Sequence, residues 1–237
     1  MKNNKLFVFI SFAVIPLFSL AQTKETFFDK YQNSIFFAPM NVLDYINPSL
    51  QIGYERMLNS RMAVQVEAAY ILNHSLENYL IDMAYGNFDC PYFNKGFKVR
   101  GEFKFYFTKT YNSMTYFSGE LFYLKNLSKE SDTFEISDPN FDYQVPHDPD
   151  ANAYDELFTL DKQRFGLNLK IGSKNFIDKH FFIEPHIGIG LVYRISKHYD
   201  RMNLNDELYY GFISLHNKAG NMWLANLPLN VKIGYSF

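Results

Sequence analysis

The sequence has a single cysteine, so it can form no internal disulfide and no Cys-rich zinc or iron–sulfur site. Charge of one sign is equally scarce: 23 basic against 25 acidic side chains leave a formal net charge of −2 over 237 residues. That balance lacks the clustered basic surface nucleic acid requires, so no nucleic-acid partner is expected. Beyond the first 21 residues there is no run of 18 apolar residues, and mean hydropathy is −0.23. A helical membrane protein is therefore excluded. Internal repeats, low-complexity tracts and linkers are missing too, which points to one domain.

What is abundant is aromatic: Phe, Tyr and Trp make up 19% of the chain. Many rings with mild hydropathy fit either a soluble β domain or a membrane β-barrel, whose alternating strands average out. Residues 1–21 have the form of a secretory signal, with Lys2 and Lys5 before the apolar stretch Leu6–Leu20 and small residues at Ser19 and Ala21. Cleavage there leaves 22–237 as the folded domain. The residue that follows is Gln22 and not Cys, so no lipid anchor is expected.

After Gln22 the dominant period is two. From Trp223 to Phe237 the odd positions are Trp223, Ala225, Leu227, Leu229, Val231, Ile233, Tyr235 and Phe237, with Asn226, Asn230, Lys232 and Ser236 between them. Phe181–Ile195, Phe97–Phe107 and Arg61–Leu72 alternate in the same way. Phe36–Val42, Ser49–Met57, Met114–Leu124 and Arg164–Gly172 complete a predicted set of eight strands. Connections at Asn59-Ser60, Lys109–Asn112 and Ser173–Lys179 are short, whereas 73–94, 126–158 and 196–220 are long. Short turns at one end and long loops at the other, with only the first connection, Asp44–Pro48, brief where a long one belongs, predict an all-β fold, a closed antiparallel eight-stranded transmembrane barrel of the outer membrane. Pro185 and Pro228 fall inside strands, where a missing N–H predicts a bulge or kink.

The segment Asn47–Leu58 resembles the second strand of small, functionally uncharacterised outer-membrane β-barrel proteins of the Bacteroidota type. Gly101–Phe107, Phe182–Gly190 and the closing Leu227–Phe237 are similar to the same family. Tyr235 and the terminal Phe237 resemble the assembly signal of bacterial outer-membrane barrels. The resemblance implies an outer-membrane location and, as partners, membrane lipid and the barrel assembly machinery. It supplies no catalytic residues.

With the apolar faces on lipid, the polar faces meet in the lumen. Glu55, Glu67, Glu102, Glu120 and Glu184 then share the interior with Lys98, Arg100, Lys104, Arg164, Lys170, Arg194 and Lys232. Eight strands enclose only enough space for side chains, so these charges are expected to pack the barrel as ion pairs and not to line a channel. An enzyme acting on lipid needs a Ser and a His near the outer rim. Ser214 and His216 are the one tempting pair, but strand parity turns both inward. Asp148-Pro149-Asp150 opens like a calcium loop, but Ala153 and Thr159 stand where Gly and a bidentate Glu belong. Cys90 reads as a buried or free thiol. The expectation is a monomeric, non-enzymatic surface protein without cofactor or metal. Loops 126–158 and 196–220 would meet an extracellular ligand or protein; a lipid A deacylase-like enzyme and a narrow channel are the alternatives.

Overall fold

The computed structural model describes residues 32–43, 47–73, 93–138, 141–143, 152–209 and 217–237. The export segment, Cys90, Asp148-Pro149-Asp150 and the Ser214/His216 pair lie outside the described residues. The strands are β1 (Asn33–Phe37), β2 (Ser49–Met57), β3 (Met62–Ile71), β4 (Phe93–Lys109), β5 (Ser113–Glu135), β6 (Ala153–Phe176), β7 (Phe181–Tyr199), β8 (Glu207–Leu208), β9 (Gly220–Asn226) and β10 (Leu229–Ser236). All ladders are antiparallel, and β10 pairs with β1, which closes the sheet on itself. Because β9 and β10 lie end to end along β7, and β8 is a two-residue strand on β5, the barrel has eight staves.

Several predicted bounds move. The first strand runs Asn33–Phe37 and not Phe36–Val42: Pro39, which cannot donate to a ladder, opens a single 3-10 turn, Pro39–Leu43. That turn points Asn41 inward, where it donates to Gln51 (2.5 Å) and accepts from Asn230 (2.7 Å). The loop expected at 126–158 is strand at both ends, since β5 continues to Glu135 and β6 begins at Ala153. Thr159 is therefore a strand residue, its hydroxyl donating to Asp200, and not part of a calcium loop.

The two prolines cause no shift of register. Pro185 stays in register with Val231 on β10, while the β6–β7 ladder lapses for two residues opposite it and resumes unchanged. Pro228 separates β9 from β10, yet both keep one register on β7, and the Pro228 carbonyl accepts from the Gly188 N–H at 2.9 Å. A bulge falls instead at Phe107, between the Tyr106 and Thr108 pairings on β5. Short turns are held by side chains: Asn59 accepts from the N–H groups of Arg61 and Met62, and Asp178 from those of His180 and Phe181.

Burial is inverted relative to a soluble protein. Even positions on β7 and β10, such as Glu184, His186, Asn230 and Lys232, are buried, whereas Ile187, Ile189, Leu191 and Leu229 are exposed. Aromatic rings border this apolar band. At one edge Tyr70 pairs with Phe97, Phe97 meets Tyr123 (5.8 Å between centroids), Tyr123 meets Phe165 (4.8 Å), and Tyr193 meets Trp223 (5.0 Å). At the other edge Phe105 pairs with Phe117, and Tyr235 packs between His180 (5.0 Å) and Phe181 (5.2 Å). Phe237 is exposed, and its backbone exchanges hydrogen bonds with Asn33 across the seam.

Near that seam the barrel is tightened by glycine facing aromatic. Phe36 stands in register between Gly53 on β2 and Gly234 on β10. A Cβ on Gly53 would lie 2.0 Å from the Phe36 ring, and one on Gly234 would lie 2.3 Å from the Phe182 ring. Gly53→Ala should therefore overpack this layer and cost about 1–3 kcal/mol. Adding Phe36→Leu should restore part of the loss in detergent-micelle unfolding; a neutral Gly53→Ala would contradict this packing.

Candidate functional site

The chemistry of the chain is collected inside the barrel, where register sorts residues into rows. One row runs Glu55, Gln65, Glu102, Glu120 and Asn168 around β2 to β6. Two residues along each strand, the row beneath holds Lys104, Ser118 and Lys170. Carboxylates in one tier thus sit over ammonium groups in the next.

The contacts form one connected network. Lys104 lies 2.5 Å from Glu55 and 2.6 Å from Glu184. Lys170 bridges Glu102 and Glu120, each at 2.7 Å. Lys232 reaches Glu67 (2.9 Å), Glu102 (3.2 Å) and Glu184 (3.6 Å). Arg100 approaches Glu67 (3.6 Å) and Glu120 (3.9 Å), and Lys174 joins Glu55 (2.8 Å) to Ser34 (2.8 Å). Five carboxylates thus meet five cations, so the layer is neutral. Neutral donors fill the remaining lone pairs: Tyr106 on Glu55, Tyr116 on Glu184, Ser118 on Glu102, Asn168 on Glu120, and Gln51 and Gln65 on Glu67. Three lysines also lie over rings, Lys174 over Phe182 (4.1 Å), Lys104 over Tyr116 (4.6 Å) and Lys232 over Phe36 (4.9 Å).

Of the predicted lumen residues, Glu55, Glu67, Arg100, Glu102, Lys104, Glu120, Lys170, Glu184 and Lys232 come together in this network. Lys98, Arg164 and Arg194 also face inward, at a higher level of the same wall. Lys174 belongs to the network although it lies beyond the predicted strand, which stops at Gly172. Its even position, in phase with Lys170, is the signal that could have placed it inside. Glu67, Glu102 and Glu120 bring ligand atoms within 4.8 Å of one another, a spacing that suits a metal ion. The ammonium groups of Lys170 and Lys232 already supply positive charge there.

A second cluster lies beyond the aromatic edge. The β5–β6 hairpin runs twelve residues past Tyr123 to Glu135, about 40 Å of strand at ~3.3 Å per residue. Its inner face packs Phe134, Tyr154, Phe158 and Leu160 against Met202 and Leu208, with Arg201 3.5 Å over the Phe134 ring. Arg201 also pairs with Glu156 at 3.0 Å. Asp206 accepts from Ser137, Tyr143, Tyr154 and Asn203. Burial raises its pKa, but the hydrogen bonds outweigh that effect and hold the carboxyl below its ordinary value.

Breaking a buried ion pair by removing one partner costs more than the pair contributes, because a charge stays behind. Lys104→Met, which strips a cation from both Glu55 and Glu184, should destabilise the barrel by about 3–5 kcal/mol. Unfolding in urea, followed by heat-modifiable gel migration, measures it; a loss under ~1 kcal/mol would mean that the network does not hold the interior together.

No protein-family model matches the chain, and no curated protein matches it. Among solved structures it is similar to a major outer membrane protein from Thermus thermophilus, at 11% identity and a TM-score of 0.41, over 88% of this chain and 100% of that one.

Proposed function

We propose that the protein is a monomeric outer-membrane barrel with a closed interior, and that its role is to hold the β5–β6 hairpin and residues 200–208 out from the cell surface for contact with a ligand or protein. The observation that carries this reading is the inversion of polarity at the aromatic edge. Between the two rings of aromatics, outward residues are apolar and inward residues charged, as a lipid-spanning barrel requires. Past Tyr123 the outward face turns polar, and further along the hairpin the inward face turns apolar. Lys125, Ser131 and Asp155 face out while Phe134, Phe158 and Leu160 face in, as in water. One hairpin thus passes from a lipid solvent into an aqueous one.

The resemblance of its strands to small Bacteroidota-type outer-membrane barrels, and the export segment with its Ala21 end, support the same location. Membrane lipid and the barrel assembly machinery are then its partners, with Tyr235 and Phe237 as the assembly signal. A channel is disfavoured because five carboxylates and five cations occupy the mid-lumen. The role assigned is non-enzymatic, since the hairpin and its cap form a packed unit of their own.

Cysteine labelling tests both location and orientation. In a Cys90→Ser background, Ser131→Cys on the hairpin should react with a membrane-impermeant maleimide on intact cells, whereas Asn112→Cys in the β4–β5 turn should react only after the outer membrane is opened. Labelling of Asn112→Cys alone on intact cells would invert the orientation and defeat the surface role.

A further inference from the structure

The β5–β6 hairpin has two strand edges, and among the described residues only one of them is covered. On the β5 side, β8 pairs with Phe134 and Glu135, and the Tyr209 N–H donates to the Thr133 carbonyl at 2.9 Å. On the β6 side, β7 accompanies the hairpin only as far as Thr159, the partner of Tyr199. The next residue, Asp200, lies in the left-handed region (φ 62°) and turns the chain off the sheet. The chain is then anchored on the inner face, where the Met202 N–H and the Arg201 side chain both donate to Glu156. Ala153–Phe158 is thus left without a neighbour on that side, about 20 Å of strand at ~3.3 Å per residue.

Alternation along the strands fixes which groups this edge offers. The Gly188 N–H donates to Pro228, so even residues of β7 bond β9 and β10 while odd ones bond β6. Tyr199 therefore bonds Thr159, and the next odd residues toward the tip, Leu157, Asp155 and Ala153, direct N–H and C=O to the side that β7 has left. No described residue hydrogen-bonds to those backbone groups. Strand edges in folded proteins are blunted by a proline, a bulge, an unpaired charge or a covering segment. Residues 153–158 contain no proline, and their ladder on β5 has no shift. The two charges are already engaged, Asp155 by the Thr133 hydroxyl on β5 at 2.6 Å and the inward Glu156 by Arg201.

The charge around the edge selects what can dock there. Glu135, Asp142, Asp155, Asp200 and Glu207 are exposed at this end of the molecule. Among the described residues of 129–161 and 199–209 the bases are Lys129 and Arg201, and Arg201 pairs with Glu156. A segment lying along β6 must supply N–H and C=O groups at every second residue, as an added strand does. Lysine or arginine on that segment meets the acids favourably, whereas an acidic segment is repelled.

We infer that the free edge of β6 receives an extended basic segment of a partner protein, which adds a strand to the hairpin, an assignment that rests on the surface role proposed above. Backbone bonds from Leu157 and Asp155 hold the segment, and the exposed acids select its charge. In the free protein water satisfies the same groups, so this edge can stand open in water although it could not within a lipid-facing band. Each bond formed replaces one to water, which keeps the association modest and reversible.

Fluorescence anisotropy of a labelled synthetic peptide of four Lys-Thr repeats, titrated with the full-length protein in neutral detergent micelles, tests this. The expected result is saturable binding at one site per chain. The same peptide methylated on alternate backbone nitrogens keeps its charge but loses its strand donors, and should bind about tenfold more weakly or not at all. Leu157→Pro deletes an N–H that the β5 ladder does not use, and should weaken binding by about the same factor. Leu157→Ala, with its backbone intact, should bind as the unmodified protein does, and Asp155→Asn should weaken binding by a smaller factor. Heat-modifiable migration identifies variants that fold, and the peptide comparison needs no variant. Equal binding of the plain and methylated peptides, or unchanged affinity in folded Leu157→Pro, would overturn strand addition. No peptide binding, with Ser131→Cys still labelled on intact cells, would overturn it too and leave the surface role standing. Labelling of Asn112→Cys alone on intact cells, with the peptide still bound in micelles, would overturn the surface role and with it an outside partner.

Discussion

Everything in this molecule follows from the narrowness of an eight-stave barrel whose outer wall is apolar. The wall leaves no room for charge outside the lumen, and the lumen leaves little room for water, so each inward charge must find its partner among other inward side chains. Glu102 shows the consequence. Its carboxylate takes Lys170, Lys232, Gln65 and Ser118, contributed by β6, β10, β3 and β5. One carboxylate thus ties four staves across the interior. The network is a cross-brace between staves that are not neighbours in the sheet as well as between those that are.

The same narrowness explains the glycine and proline positions. Where two rings would collide across neighbouring staves, one stave carries glycine: Phe36 lies over Gly53, and Phe182 over Gly234. Pro185 and Pro228 interrupt single ladders without shifting them, because β7 is paired on both sides and the neighbouring pairs hold the register. The Pro228 carbonyl still accepts from Gly188, so the break between β9 and β10 keeps a hydrogen bond to its neighbour.

Most of the staves are legible in the sequence because the period of two carries the full difference between an apolar outer face and a polar lumen. Leu229, Val231 and Ile233 against Asn230, Lys232 and Gly234 can be read in one way only. Legibility stops where that contrast stops. Ser173 and Asn175 face outward at the turn end of β6, so the apolar beat ends at Ile171 and Lys174 reads as a loop residue. On the hairpin the beat persists but changes phase, with Phe134, Tyr154, Phe158 and Leu160 on the even, inward positions. A strand whose apolar face switches sides reads as a polar loop. The cap built on Asp206 and Arg201 could not be read at all, since its partners Ser137, Tyr154 and Glu156 are 45 to 69 residues away in sequence.

On the proposed reading, the outward face of the long hairpin strands β5 and β6 passes from lipid to water at the aromatic edge. Leu169 and Leu157 lie on the outward face of the same strand, on opposite sides of Phe165. Folding titrations into lipid vesicles, performed on Leu169→Arg and Leu157→Arg, measure this change of surroundings directly. The expected cost is about 2–4 kcal/mol for Leu169→Arg and about 0–1 kcal/mol for Leu157→Arg. Equal costs at the two positions would contradict it.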